Sequence, residues 1–450
     1  MNCNDMETLR SRHNIAFVTG GPASAEPGTL PLRILAHVSP IPPCRHMRRS
    51  PNFVAHRTIA RTLLSLVALV FLAGCAAVHR PATTLPALLA DADASRLAER
   101  RLRDTVVARL ARRAIARPDH TVDVLMLSGG GQNGSYGVGF MRGWRARRDA
   151  PMPTFDLITA ISTGALQAPF VLLGTQAAQD TLTSLYRNAA DRIAPSLDWF
   201  FWLRRTGGLV NMKRFDANLA HIVDATLRDS LRTVFRADRQ LVFGTTDLDI
   251  ATGRTWDLRS VIEGGDEGLV RTRTLLKAAS AIPGIFPQVV YEGHVHSDGG
   301  VVSNILTLLT LDDYKAMLAQ VRAAGVTTPV TVRLFVIVNG WTHATPVIMN
   351  PASRRQIQSR WSTVSFFMHQ PQVLEGLEYL AAAASAVPGL TMQMQWTGIP
   401  SEIALDPAAS SLFNKAWMRR LEELGESRAG GAKPWDTVVS PYVRPEHMKP

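Results

Sequence analysis

The stretch Phe155-Asp-Leu-Ile-Thr-Ala-Ile-Ser-Thr-Gly-Ala-Leu166 decides the fold. Leu157 to Ile161 are largely apolar and β-branched, as a buried parallel strand requires, and Gly164 and Ala165 are small enough for a backbone that reverses within two residues. An apolar helix follows. A serine on such a strand-to-helix turn projects its hydroxyl out of the sheet, beside the free N–H groups of the helix N-terminus. That is the geometry of an acyl-transfer nucleophile, whose motif usually reads Gly-x-Ser-x-Gly because the backbone crowds itself at both glycines. Here Ala160 takes the first glycine's place and Gly164 keeps the second. Taken alone, the stretch reads as an ordinary strand end with a serine N-cap. The sequence before and after it changes that reading.

Upstream of Ser162, the apolar segment Val122-Asp-Val-Leu-Met-Leu127 runs into Ser128-Gly-Gly-Gly-Gln-Asn-Gly-Ser-Tyr-Gly-Val-Gly139. Strand, glycine-rich loop and helix together make an anion cradle, because converging backbone N–H groups and the helix dipole both favour negative charge. Gly129-x-Gly131-x-x-Gly134 matches a dinucleotide fingerprint, which also needs an acidic residue near the end of the second strand. Asp156 begins that strand instead. A phosphate-binding P-loop needs Gly-Lys-Ser/Thr, and the loop has no lysine. The remaining use is an oxyanion hole for an attacked ester carbonyl. Adjacent parallel strands would bring this loop and Ser162 to one sheet edge.

Further on, Arg239 to Asp249 reads as a strand, Thr274 to Phe286 as a helix, Val289 to Val295 as a strand, and Ser297-Asp-Gly-Gly300 as the turn closing it. Asp298 is then a carboxylate on a tight turn at a strand end, from which a base could reach Ser162. His294, His296 and Asp298 alternate along one strand and share a face, which also suggests a His-x-His-x-Asp metal site. No second cluster supplies further ligands, so no metal and no cofactor is expected. Val330 to Val338 is the most apolar strand. Helices are expected over 353–386 and 408–424, with a loose tail from Gly425. The whole predicts an α/β fold with a mostly parallel central sheet, helices on both faces and a helical C-terminal extension.

The beginning of the chain has a different character. Arg48, Arg49, Arg57 and Arg61 precede the apolar run Leu63 to Leu72, which ends in Leu72-Ala-Gly-Cys75. A basic region, an apolar run of about ten residues and small residues at a cleavage point make a signal peptide, too short to span a bilayer. Leu-Ala-Gly-Cys resembles the lipobox of bacterial lipoproteins, which implies lipidation of Cys75 and a place in the cell envelope, at the outer membrane facing the periplasm. Met47 would be a normal start for such a leader. Without residues 1–74 the chain keeps 41 basic against 34 acidic residues, a net charge of +7. Eight arginines between Arg96 and Arg117 sit on a helical pattern, read either as a solvated face or as a helix near anionic headgroups. Pro81 to Ala94 reads as a tether. Ser196-Leu-Asp-Trp-Phe-Phe-Trp-Leu-Arg-Arg205 either dips into a lipid interface or caps the core. An exported chain with no RNA or DNA motif is a poor fit for nucleic acid.

Taken in order, these motifs resemble the patatin-like phospholipase family. Gly129-Gly-Gly-Gln-Asn-Gly134 is similar to its glycine loop, Ala160-Ile-Ser-Thr-Gly164 to its serine elbow, Asp298-Gly-Gly300 to its Asp-Gly-Gly/Ala motif, and Ala278 to Pro287 to the segment before the aspartate. The resemblance covers about residues 122–315. The expected organisation is a leader over 1–74, a tether and arginine-rich helix over 75–121, the patatin-like domain over 122–315, and the rest of the fold with a helical extension over 316–450. It implies a Ser-Asp dyad acting on lipid acyl esters at a membrane surface: Ser162 as nucleophile, Asp298 as base, and Gly129, Gly130 and Gly131 as the oxyanion loop. Gly134, Ala160, Gly164, Gly299 and Gly300 would support the motifs. Two departures stand out. Asn133 replaces the basic residue frequent in the loop, and Ala160 adds a methyl expected to displace Ser162. The alternative is an inactive member acting as a lipid-binding envelope scaffold.

Overall fold

A computed structural model describes residues 80–439, apart from 193, 195, 198–206, 345 and 411–412. The leader, Cys75, most of the aromatic stretch 196–205 and residues 440–450 lie outside the described residues. The chain runs α1 (Leu85–Ala116), β1 (Thr121–Leu127), α2 (Gly134–Ala146), β2 (Leu157–Ile161), α3 (Thr163–Leu173), α4 (Gln176–Arg187) and α5 (Ala189–Arg192). The short strands β3 (Ser196–Leu197) and β4 (Val210–Asn211) precede α6 (Lys213–Ile222), α7 (Ala225–Arg236), β5 (Gln240–Asp247) and β6 (Thr252–Asp257). Then come α8 (Leu258–Ile262), α9 (Gly265–Ala279), β7 (Val289–Tyr291), β8 (His294–Asp298), α10 (Leu311–Ala323) and β9 (Val330–Val338). Finally α11 (Arg354–Phe367), α12 (Gln370–Ser385), β10 (Leu390–Gly398) and α13 (Lys415–Gly430) complete the described chain.

The main sheet has the order β10-β9-β1-β2-β5-β8-β7, with β6 also on β5. The pairs from β10 to β5 are parallel, and β6, β7 and β8 add antiparallel pairs. Alternation along the strands divides the core. Leu125, Leu127, Phe335 and Ile337 face one cluster with Phe140 and Trp144 of α2 and Leu172 of α3. Val122, Val124, Val332 and Leu334 face the other, filled by Val106 and Leu110 of α1, Tyr314 of α10 and Leu377 of α12. Helices therefore cover both faces, as strands apolar along their whole length require.

Several local readings change. The expected tether is helical from Leu85, capped by the Thr84 side chain, with Pro86 in the first turn where its missing N–H costs nothing. The expected single strand from Val289 to Val295 is a hairpin: Glu292 (φ 50°) and Gly293 (φ 83°) turn left-handed between Tyr291 and its partner His294. Strand β6 was not expected. The tail from Gly425 is instead the end of α13, whose residues pack on α2; a Cβ at Gly425 would lie 2.1 Å from the Tyr136 carbonyl oxygen.

The arginine-rich helix is drawn onto the lower edge of the sheet. Arg113 Nε lies 2.7 Å from Asp156, Arg117 pairs with both Asp123 and Asp156, and Arg109 and Arg112 reach Asp257 and Asp238. Asp123 and Asp156 are fully buried, and Arg333 of β9 adds a two-nitrogen contact to Asp123. Those four arginines therefore answer sheet carboxylates rather than lipid headgroups. Asp156 is at the sheet edge opposite the glycine loop, which removes it as a ribose ligand.

Candidate active site

The serine and the aspartate meet because β2 and β8 share one edge of β5. Ile161, the last residue of β2, stands opposite Gly244, and Asp298, the last of β8, stands opposite the next residue, Thr245. Strand β6 pairs with both Gly244 and Thr245 from the other edge, so β2 and β8 approach end to end. Ser162 Oγ donates to Asp298 Oδ2 at 2.6 Å, and the other carboxylate oxygen accepts from the Gly300 N–H at 2.7 Å.

Ser162 adopts φ 51° and ψ −123°, a conformation that costs a side-chain-bearing residue about 1–3 kcal/mol and persists only where its surroundings impose it. Those surroundings are the β2 ladder before it and α3 after it. A Cβ on Gly164 would lie 2.5 Å from the Leu127 carbonyl oxygen, so the start of α3 presses directly on the end of β1. Ala160, by contrast, is an ordinary mid-strand residue, fully buried and paired with Leu127 and Phe243. Its methyl belongs to the core, and the serine reaches the aspartate with that methyl in place.

Burial raises the Asp298 carboxyl to about 6, against the opposing effects of the Ser162 hydroxyl and the Gly300 N–H. An unperturbed aspartate is a feeble base near neutrality, and this shift moves it toward the useful range. Among the described residues no histidine lines the cavity. His296 is buried against Thr245 and held neutral by that burial, its ring lowered to about 4. His294 lies 2.8 Å from Asp247 and 3.2 Å from Asp91. The three residues of the alternating His-x-His-x-Asp face thus each have different partners. Asp247, Asp249 and His294 do cluster, but Arg254 and Arg80 already pair with the two carboxylates.

In the glycine loop, the Gly129 N–H donates to the Asn304 carbonyl oxygen, which removes it as an oxyanion donor. Among the described residues the N–H groups of Gly130 and Gly131 have no acceptor, and both glycines line the cavity with Ser162, Asp298 and Gly300. A Cβ on Gly130 would sit 2.0 Å from the Asn339 carbonyl oxygen, a close approach only glycine permits. Gly134 and Gly299 are packing positions, against Thr163 and Gly244 respectively.

Two asparagines that sequence reasoning missed hold this loop. Asn339, at the end of β9, donates its backbone N–H to Ser128 Oγ and its side-chain amide to the Ser128 carbonyl, while accepting from the Gly137 N–H. Asn304 donates to the Gly129 carbonyl. Asn133 accepts from the Trp417 ring N–H, so it ties the loop to α13. The cavity beyond Ser162 measures about 460 Å³. Its walls are mostly apolar, with Leu166, Phe170, Phe215, Leu219, Ile282 and Phe286 among them. That size and character suit a small organic ligand or acyl group.

The site thus joins a strained serine, a buried carboxylate, two backbone N–H groups without an acceptor among the described residues, and an apolar cavity, on an α/β sheet. Residues 125–311 match the family model described as patatin-like phospholipase. No curated protein sequence matches the chain. Among solved structures, VipD from Legionella pneumophila is similar at 10% identity and a TM-score of 0.29, over 68% of this chain and 66% of that one. The complex of SpcU with ExoU from Pseudomonas aeruginosa is similar at 13% identity and a TM-score of 0.21, over 70% of this chain and 52% of that one. The chain thus spans about two thirds of the first and about half of the second. Likeness at this level adds nothing to the family match and the site.

Proposed function

We propose that the protein hydrolyses lipid acyl esters through a Ser162–Asp298 dyad. The observation that carries this reading is the 2.6 Å contact between Ser162 Oγ and Asp298 Oδ2 at the mouth of an apolar cavity. Asp298 takes the serine proton as Oγ attacks the ester carbonyl carbon. The negative charge that forms on the carbonyl oxygen is received by the N–H groups of Gly130 and Gly131. As the intermediate collapses, the ester C–O bond breaks and Asp298 returns the proton to the leaving alcohol. Water then attacks the acyl-serine, losing its proton to Asp298, and the acid leaves as Oγ is reprotonated. The apolar cavity holds the acyl chain, so the substrate is a lipid or another long acyl ester, with a phospholipid or lysophospholipid as the leading class. The same reading keeps the lipidated Cys75, which would hold the domain at the envelope membrane where such substrates are found.

The test is turnover of short and long acyl esters by the full chain, with Ser162→Ala and Asp298→Asn alongside. Because the two act as a unit, each single replacement removes most activity and the double replacement is little worse. Strong residual turnover in Ser162→Ala would overturn the assignment.

A further inference from the structure

Among the described side chains of helix α11, an apolar stripe faces outward. At about 100° per residue, Ile357, Trp361 and Val364 fall on one face and Ser359 and Thr363 on the opposite one. Ser359 and Thr363 line the cavity that holds Ser162 and Asp298. The apolar face is turned to solvent: Ile357 is 47% exposed, Trp361 63% and Val364 45%. A helix placed by water alone does the reverse. The preceding loop repeats the pattern, with Val347 50% and Ile348 99% exposed. Helix α11 also packs on the Gly299–Val301 turn that follows Asp298, so one helix carries both the exposed apolar stripe and residues that line the cavity.

Charge identifies what covers this face. From Gly340 to Leu374 the sequence contains no Asp or Glu, whereas α11 carries Arg354, Arg355 and Arg360. Arg354 and Arg360 fall on either side of the Ile357–Trp361–Val364 stripe by the same helical geometry. An apolar stripe with tryptophan, flanked by arginines and free of carboxylates, matches the boundary between acyl chains and anionic headgroups: the stripe enters the apolar layer while guanidinium groups stay at the phosphates.

We infer that the outward face of α11, together with Val347 and Ile348, docks on a lipid bilayer carrying anionic headgroups, and that this holds the helix that lines the cavity at the lipid surface. The inference rests on the acyl-hydrolase reading for the purpose of docking, though not for docking itself. A second copy of this chain would meet the same arginines and is disfavoured by like charge.

The experiment uses the full chain carrying Cys75→Ala, so that no attached lipid contributes to binding. It is mixed with phosphatidylcholine vesicles and with vesicles of phosphatidylcholine and phosphatidylglycerol, and sedimented. The parent should prefer the anionic vesicles, less so as salt is raised. Trp361→Ala with Ile357→Ser, and separately Arg354→Glu with Arg360→Glu, should each lower partitioning by about tenfold or more. Both should reduce hydrolysis of vesicle-embedded ester while leaving turnover of a soluble short-chain ester unchanged. Equal partitioning of parent and both variants would overturn the inference. So would a dimer in sedimentation equilibrium that Trp361→Ala dissolves, which would assign the face to a second copy. If no ester is turned over at all, the acyl-hydrolase reading fails, and the vesicle partitioning still decides the docking surface.

Discussion

On the proposed dyad, the Asp298 carboxyl sets the pH range of turnover. Burial raises it to about 6, so it is protonated and inert as a base below that pH, and kcat/KM should rise with an apparent pKa near 6 and level off above it. The same shift has the opposite sign for stability. Raised above its ordinary value near 3.8, the carboxyl contributes stability while protonated, and loses it as pH rises from about 4 through 6. Asp298→Asn should remove this loss, up to about 3 kcal/mol, while lowering kcat on the order of 10²- to 10⁴-fold. Denaturant melts at pH 4 and pH 7, beside initial rates, check both. Ala160 gives a contrasting expectation. Since the methyl sits mid-strand in the core and the dyad is formed, Ala160→Gly should leave turnover nearly unchanged and lower stability by about 1 kcal/mol, read from the same melts. A large gain in turnover would mean that the methyl does displace the serine.

At the scale of elements, the site is an alignment of strand ends. Ser162, Asp298 and the glycine loop were legible in the sequence because each motif is local: an apolar run, then small residues at a fixed offset. What holds them together was not legible, since it depends on pairs distant in sequence: Ile161 with Gly244 and Thr245 with Asp298 in the sheet, and Asn339 with Ser128 across 211 residues. Asn339 and Asn304 look like any loop asparagine until β9 is placed beside β1 and the turn after Asp298 is folded back. The hairpin at Glu292-Gly293 was missed because a strand from Val289 onward fits the residue types, whereas the turn is set by two left-handed residues. Gly130 tests this layer. Gly130→Ala would force its Cβ to within 2.0 Å of the Asn339 carbonyl unless the loop moves, taking the Gly130 N–H with it. We expect kcat to fall by about 10²-fold with KM little changed, as loss of one oxyanion donor does, measured on a soluble ester.

Over the whole molecule, the sheet keeps the Ser162–Asp298 contact at the end of β2 and gathers a cluster of ion pairs about the starts of β1 and β2. The sequence showed the arginines of α1 but not their partners, because Asp123 and Asp156 read as ordinary strand-start carboxylates. Only the parallel pairing of β1 with β2 and β9 converges these buried carboxylates with the half-buried Arg113, Arg117 and Arg333. Asp156→Ala would leave Arg113 and Arg117 short of a partner, and it should lower unfolding stability by about 3 kcal/mol, measured in urea, without changing KM. The anchor belongs to this scale as well: fatty-acid labelling of cells should mark the protein and fail with Cys75→Ala. The central claim, that Ser162 is the nucleophile, is tested most directly by reacting the folded full chain with a fluorophosphonate and locating the adduct by mass spectrometry. The account predicts a single adduct on Ser162, lost in Ser162→Ala and greatly slowed in Asp298→Asn. An unlabelled folded protein, or an adduct on another residue with ester turnover surviving Ser162→Ala, would contradict it.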